Sequence, residues 1–137
     1  MKLDFLKWIG RIPAALRREA ANETYPPSPV DRSQTRLTNG KPVTPDHRDI
    51  DPATGMQKAY VVLSDAERAK GFVRPVRNEY VHLKCGVVTR MGDALAETYA
   101  RDPHFYSGTF CVGCGTHFPV GDDGEFVWDG TNEKVGT

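Results

Sequence analysis

The sequence predicts an α+β fold: a small domain over residues 59–137 with one helix inserted between two His/Cys pairs, preceded by an extended Pro-rich arm (22–58) and an N-terminal amphipathic helix (1–21). Three observations predict it. Six of the ten prolines (Pro26, Pro27, Pro29, Pro42, Pro45 and Pro52) fall between Asn22 and Lys58. Apolar residues recur at helical spacing near the N-terminus and again after Met91. Two pairs with a shared pattern, His82-x-x-Cys85-Gly86 and Cys111-x-x-Cys114-Gly115, bracket the second helical stretch.

The N-terminal helix comes first. Phe5, Ile9, Ile12 and Leu16 fall on one helical face with Trp8 beside them. Pro13 has no N–H for the Ile9 carbonyl, so a kink or restart is expected there. This helix is expected to dock on its own chain or on a neighbour. Contact of residues 2–20 with a membrane surface ranks lower, because only three apolar turns are on offer. The arm over 22–58 is rich in Ser, Thr, Asp, Asn and Arg as well as Pro. Such a composition buries too little apolar surface to offset chain entropy, which leaves a folded part of roughly 80 residues. Domains of that size often need a staple. The low mean hydropathy, −0.51, agrees with a modest core.

Ala59–Leu63 suits a strand. Ser64-Asp65-Ala66-Glu67 has the pattern of a capping box, and Gly71 can close the short helix that follows. Phe72–Arg77 is extended around Pro75, and Tyr80–Leu83 is a further strand. Met91, Leu95 and Tyr99, with Ala94, Ala96 and Ala100, predict a helix over Gly92–Arg101 that Asp102-Pro103 ends. Phe105–Phe110 predicts a strand. Thr116–Val120 and Glu125–Trp128 around Gly121-Asp122-Asp123-Gly124 predict a β-hairpin, with Phe126 and Trp128 on one face and Glu125 on the other.

The two short pairs carry the chemistry. A tight turn puts residues i and i+3 on one side, where both reach a single ion. The Gly that follows supplies the positive φ closing the turn. One imidazole and three thiolates, His82, Cys85, Cys111 and Cys114, make an ordinary structural zinc set. Lys84 can offset the net negative charge of such a site. His104 and His117 are rivals of His82 for the fourth position. A redox Cys pair should open a helix, whereas Cys111-x-x-Cys114 follows a strand and is expected to lead into a hairpin. Three cysteines cannot all pair with one another, and Asp4, Lys7, Arg11 and Arg17 interrupt any secretory pattern. No apolar run nears the ~20 residues of a membrane span. A reducing, cytoplasmic setting is therefore expected, in which grouped Cys and His act as metal ligands before disulfides.

Residues 80–128, through His82, Cys85, Cys111 and Cys114, resemble the zinc-ribbon group, in which two metal knuckles sit at the tips of hairpins. His replaces the usual first Cys, and a helix stands between the knuckles where many ribbons have strands. Glu67–Arg77 (ERAKGFVRPVR), Ala96–Arg101 (AETYAR) and Phe105–His117 also resemble uncharacterised small proteins of bacteriophages and prophages. That resemblance implies a phage context, in the host cell cytoplasm or in phage particles, and no particular activity.

Three functions follow as expectations. The first is a zinc-stabilised structural protein, a virion assembly component whose helix and arm bind neighbouring proteins. The second is a nucleic-acid-binding ribbon using the basic segment 66–90, with Arg68, Lys70, Arg74, Arg77, Lys84 and Arg90 on phosphates. The formal net charge of zero and the acidic residues after Met91 limit such a footprint. The third, a zinc enzyme acting on a small-molecule substrate, is disfavoured. Four protein ligands leave no place for a catalytic water, and the H-x-E pattern of nucleobase deaminases is missing at His82-Leu83-Lys84. No enzyme activity is expected.

Overall fold

Short strands carry most of the regular structure in the computed structural model, which describes residues 28–137. In chain order they are β1 (Thr35–Leu37), β2 (Val61–Leu63), helix α1 (Asp65–Arg68), β3 (Glu79–His82), β4 (Val88–Arg90), helix α2 (Asp93–Arg101), β5 (Gly108–Cys111), β6 (Thr116–Pro119) and β7 (Phe126–Trp128). The fold is mixed α+β with strands predominating. The amphipathic helix expected over 1–21 lies outside the described residues.

Three antiparallel sheets result: β1–β2, β4–β3–β7 and β5–β6. In the middle sheet Tyr80 faces Trp128 and His82 faces Phe126 across β3 and β7, while Tyr80 faces Thr89 across β3 and β4. Alternation then sends Tyr80, His82, Phe126 and Trp128 inward. Tyr80 meets Phe126 edge-on at 5.4 Å and Trp128 at 6.3 Å, and Tyr99 of α2 meets Trp128 at 5.6 Å. Such edge-to-face pairs add roughly 0.5–1.5 kcal/mol each beyond the area they bury. Met91, Ala96, Cys111 and Val135 complete this core.

Helix α2 starts where expected. Gly92 is its N-cap without a side-chain bond, Asp93 stands in the first turn and Arg101 in the last, as the helix dipole favours. At α1 only half of the expected capping box forms. Ser64 Oγ accepts from the Glu67 amide at 3.3 Å, but the Ser64 amide donates to the Gln34 carbonyl instead of to Glu67. The Glu67 carboxylate is engaged elsewhere.

The expected hairpin of Thr116–Val120 with Glu125–Trp128 does not form. β6 pairs with β5, and β7 pairs with β3. Only the Glu125 amide bonds back to the Pro119 carbonyl, at 3.0 Å. Phe126 and Trp128 reach the core by lying beside Tyr80 and His82, so β7 joins the other sheet. Strand β4, unanticipated, is the partner that turns Tyr80–Leu83 into a hairpin arm.

Residues 28–58, expected as part of the extended arm, carry one short strand, β1, and are fastened to the rest through residues 28–37. β1 pairs with β2 along Thr35–Leu37. Arg101 of α2 donates to the Ser28 and Pro29 carbonyls at 2.8 and 3.4 Å, and the Asp31 amide donates to Glu67 at 2.9 Å. Arg32 pairs with Asp102 at 2.7 Å. Beneath these contacts Arg101 and Glu67 form an ion pair at 3.1 Å with side chains 0% and 1% exposed.

Candidate metal centre

Each His/Cys pair sits in the turn of a hairpin. His82 ends β3 and Cys85 lies in the turn to β4; Cys111 ends β5 and Cys114 lies in the turn to β6. The two turns are built alike. The Gly86 amide donates to the His82 carbonyl at 2.7 Å, and the Gly115 amide donates to the Cys111 carbonyl at 2.8 Å. Both glycines take the positive φ that such a turn demands, 74° and 70°. This repeated geometry brings residues i and i+3 to one side.

The turns then meet. The Val112 amide donates to Thr89 Oγ1 at 3.0 Å, binding the second knuckle to the first hairpin. Val87 packs on Gly113 so closely that a Cβ there would fall 2.7 Å from a Val87 methyl. Four potential ligand atoms converge as a result: those of His82, Cys85, Cys111 and Cys114 all lie within 4.8 Å of one another. His82 Nδ1 is 3.3 Å from Cys85 Sγ and 3.5 Å from Cys114 Sγ, and Cys85 Sγ is 3.5 Å from Cys111 Sγ. A tetrahedral ion with the usual bond lengths would separate two sulfurs by about 3.8 Å, and a nitrogen from a sulfur by about 3.6 Å. The cluster can hold a metal ion with little rearrangement.

Its electrostatics point the same way. The Val87 amide aimed at Cys85 Sγ lowers that thiol to about 7, despite its partial desolvation. Desolvation of its sulfur, with the Cys111 and Cys85 thiols alongside, pushes Cys114 up to about 11. Three thiols in one place cannot all ionise without a cation, and a bound metal removes that conflict by deprotonating its ligands.

The imidazole is held firmly. His82 is 1% exposed and stacks with Phe118 at 4.4 Å and with Phe126 at 4.8 Å. Its Nε2 is 2.9 Å from Glu125 Oε1, and Lys84 Nζ is 3.4 Å from the same oxygen. Hydrogen bonding from His82, with Lys84 nearby, lowers the Glu125 carboxyl below its ordinary value. Sequence reading placed Glu125 only on the face opposite Phe126. The β3–β7 register is what sets it beside His82, and nothing in the local sequence states that register.

The rival imidazoles lie elsewhere. His117 Nε2 is hydrogen-bonded to the Tyr60 hydroxyl at 2.7 Å, and His104 is exposed. Neither joins the cluster. Five of the six cations of the segment 66–90 are paired with carboxylates. Arg68 pairs with Asp65 and with Glu97, Lys70 with Glu67, Arg77 with Glu133, Lys84 with Glu125 and Arg90 with Glu79. Arg74 donates to the Val73 and Thr137 carbonyls. Arg77 also lies over the Trp128 ring at 4.8 Å.

Among the described residues no helix is long and apolar enough to cross a membrane. No family model matches this chain, and neither a curated protein nor a solved structure is significantly similar to it.

Proposed function

We propose that this chain is a non-catalytic structural and interaction protein, stabilised by one Zn²⁺ held by His82, Cys85, Cys111 and Cys114. The observation that carries the reading is the convergence of four donors from the turns of two hairpins that belong to different sheets. An ion there joins the β4–β3–β7 sheet to the β5–β6 sheet. Three sulfurs and one imidazole suit zinc, and a shell closed by four protein ligands leaves no open position for a reacting water. The ion then acts on folding and does no chemistry.

The interaction half of the proposal draws on the surface around the knuckles. Leu83 and Val112 stand exposed on the two turns, with Val87 and Val88 close by in the chain. Exposed apolar side chains grouped this way suit a protein partner. Together with the sequence resemblance to small phage proteins, this makes phage particles the first place to look for one. The carboxylates that pair with five of the six cations weigh against phosphate binding as the main role.

The test is metal analysis of the full-length purified protein, combined with mass spectrometry of a pull-down or of purified particles. Zinc near one equivalent, lost in the Cys111→Ser/Cys114→Ser variant, is the expected result. A stable native protein without metal would sink the proposal. So would strong, salt-dependent DNA or RNA binding without protein partners.

A further inference from the structure

We propose that Glu125 is the positioning residue of this centre: its carboxylate holds His82 as the Nε2–H tautomer and thereby makes Nδ1 the atom that ligates the ion. The inference rests on the zinc reading above and assigns the roles of the two imidazole nitrogens.

An ionised carboxylate only accepts hydrogen bonds. Glu125 Oε1 lies 2.9 Å from Nε2, so Nε2 is the nitrogen that carries the proton there. A neutral imidazole then keeps its lone pair on Nδ1. Nδ1 faces Cys85 Sγ at 3.3 Å and Cys114 Sγ at 3.5 Å. Turning the ring over would set carbons against both the carboxylate and the sulfurs, forfeiting both interactions.

The surroundings make this orientation hard to leave. Phe118 and Phe126 both stack on the imidazole, tilted from it by 27° and 30°. Glu125 is fixed through its backbone as well, because its carbonyl accepts from the Leu83 amide at 2.8 Å. Lys84, inside the first knuckle, reaches the same carboxylate oxygen at 3.4 Å. It therefore offsets the charge of the carboxylate that orients the ring. Residues that orient a metal-ligating His in this way typically change metal affinity 10–100-fold when lost.

The test uses the full-length protein, loaded with Zn²⁺ alone, in two measurements. Long-range ¹H–¹⁵N NMR of the loaded wild type should find the proton on His82 Nε2 and the metal on Nδ1. Competition against a chelator should find zinc affinity lower by roughly 10–100-fold in Glu125→Ala. Glu125→Gln, whose amide oxygen still accepts from Nε2–H, should recover most of that loss, whereas Glu125→Met, of similar length but without that acceptor, should not. Metal on Nε2 in the wild type, or wild-type affinity in Glu125→Ala, overturns the inference and leaves the zinc reading intact. The NMR arm needs no variant, so a Glu125→Ala protein that fails to fold does not block the answer. A wild type that takes up no zinc overturns both.

Discussion

The carbonyl oxygen of Gly115 occupies the place that a side chain on Gly55 would need. A Cβ built on Gly55 would lie 1.9 Å from that oxygen, and Gly55 has a φ of 80°. The loop around Gly55 therefore rests backbone to backbone on the second knuckle, held also by the Tyr60–His117 hydrogen bond. Gly55→Ala cannot keep this contact. It should cost about 1–3 kcal/mol from the positive φ and the clash together, and amide exchange should show residues 49–58 losing protection ahead of the rest. Unchanged stability and exchange would mean that the loop does not pack on the knuckle in solution.

The Arg101–Glu67 pair makes a second prediction. Replacing Arg101 by Met leaves Glu67 buried with Lys70 as its remaining cation and frees the Ser28 and Pro29 carbonyls. Breaking a buried pair from one side costs about 3–5 kcal/mol. Denaturant unfolding should read that loss as a lower midpoint. The double variant Glu67→Leu/Arg101→Met should lose less than the two single variants added together, because the two residues interact directly.

Acid should act through the same pair. Lys70 first, then the Asp31 amide and Arg101, lower the Glu67 carboxyl from 4.5 to about 2. A lowered folded-state value stabilises above the unfolded value and is lost as pH falls through the folded one. The stability advantage of wild type over Glu67→Gln should therefore be full at neutral pH and shrink between pH 5 and 2. Thermal melts of both proteins across that range test it. A gap that stays constant to pH 2 would remove Glu67 from the acid response.

Zinc removal should reach both sheets at once. At free zinc about a thousandfold above the dissociation constant, the ion stabilises by about 4 kcal/mol. Chelation, or Cys111→Ser/Cys114→Ser, should then lower the melting midpoint by roughly 10–30 °C. The chelator should have no further effect on the double variant. A chelator effect that persists there would place the metal elsewhere.

Much of the site was legible because its signal is local. Each knuckle is a five-residue pattern ending in Gly, and both glycines take the positive φ the pattern requires. Helix α2 was equally plain, since Met91, Leu95 and Tyr99 repeat over two turns. What escaped depends on pairing at a distance. Gly121-Asp122-Asp123-Gly124 has the composition of a hairpin turn, yet alternation says only which side chains face inward, not which strand lies alongside. Phe126 and Trp128 fit against Tyr80 and His82, so β7 joined β3. The same pairing created the His82–Glu125 contact, which no spacing rule could reveal. β4 is three residues long, with only Thr89 buried, and offers almost no pattern. The anchors of residues 28–37 are largely backbone groups, such as the Asp31 amide and the Ser28 carbonyl, and composition carries no trace of them.

The stacking of two phenyl rings on His82 has one more consequence, a magnetic one. Protons above and below aromatic faces feel the ring currents and resonate well upfield of their usual positions. With Phe118 and Phe126 both stacked against it, the His82 carbon-bound protons should stand apart from those of His47, His104 and His117. That displacement depends on the stacking and not on the ion. The same two resonances can thus report whether the two sheets are still in register after the metal has gone.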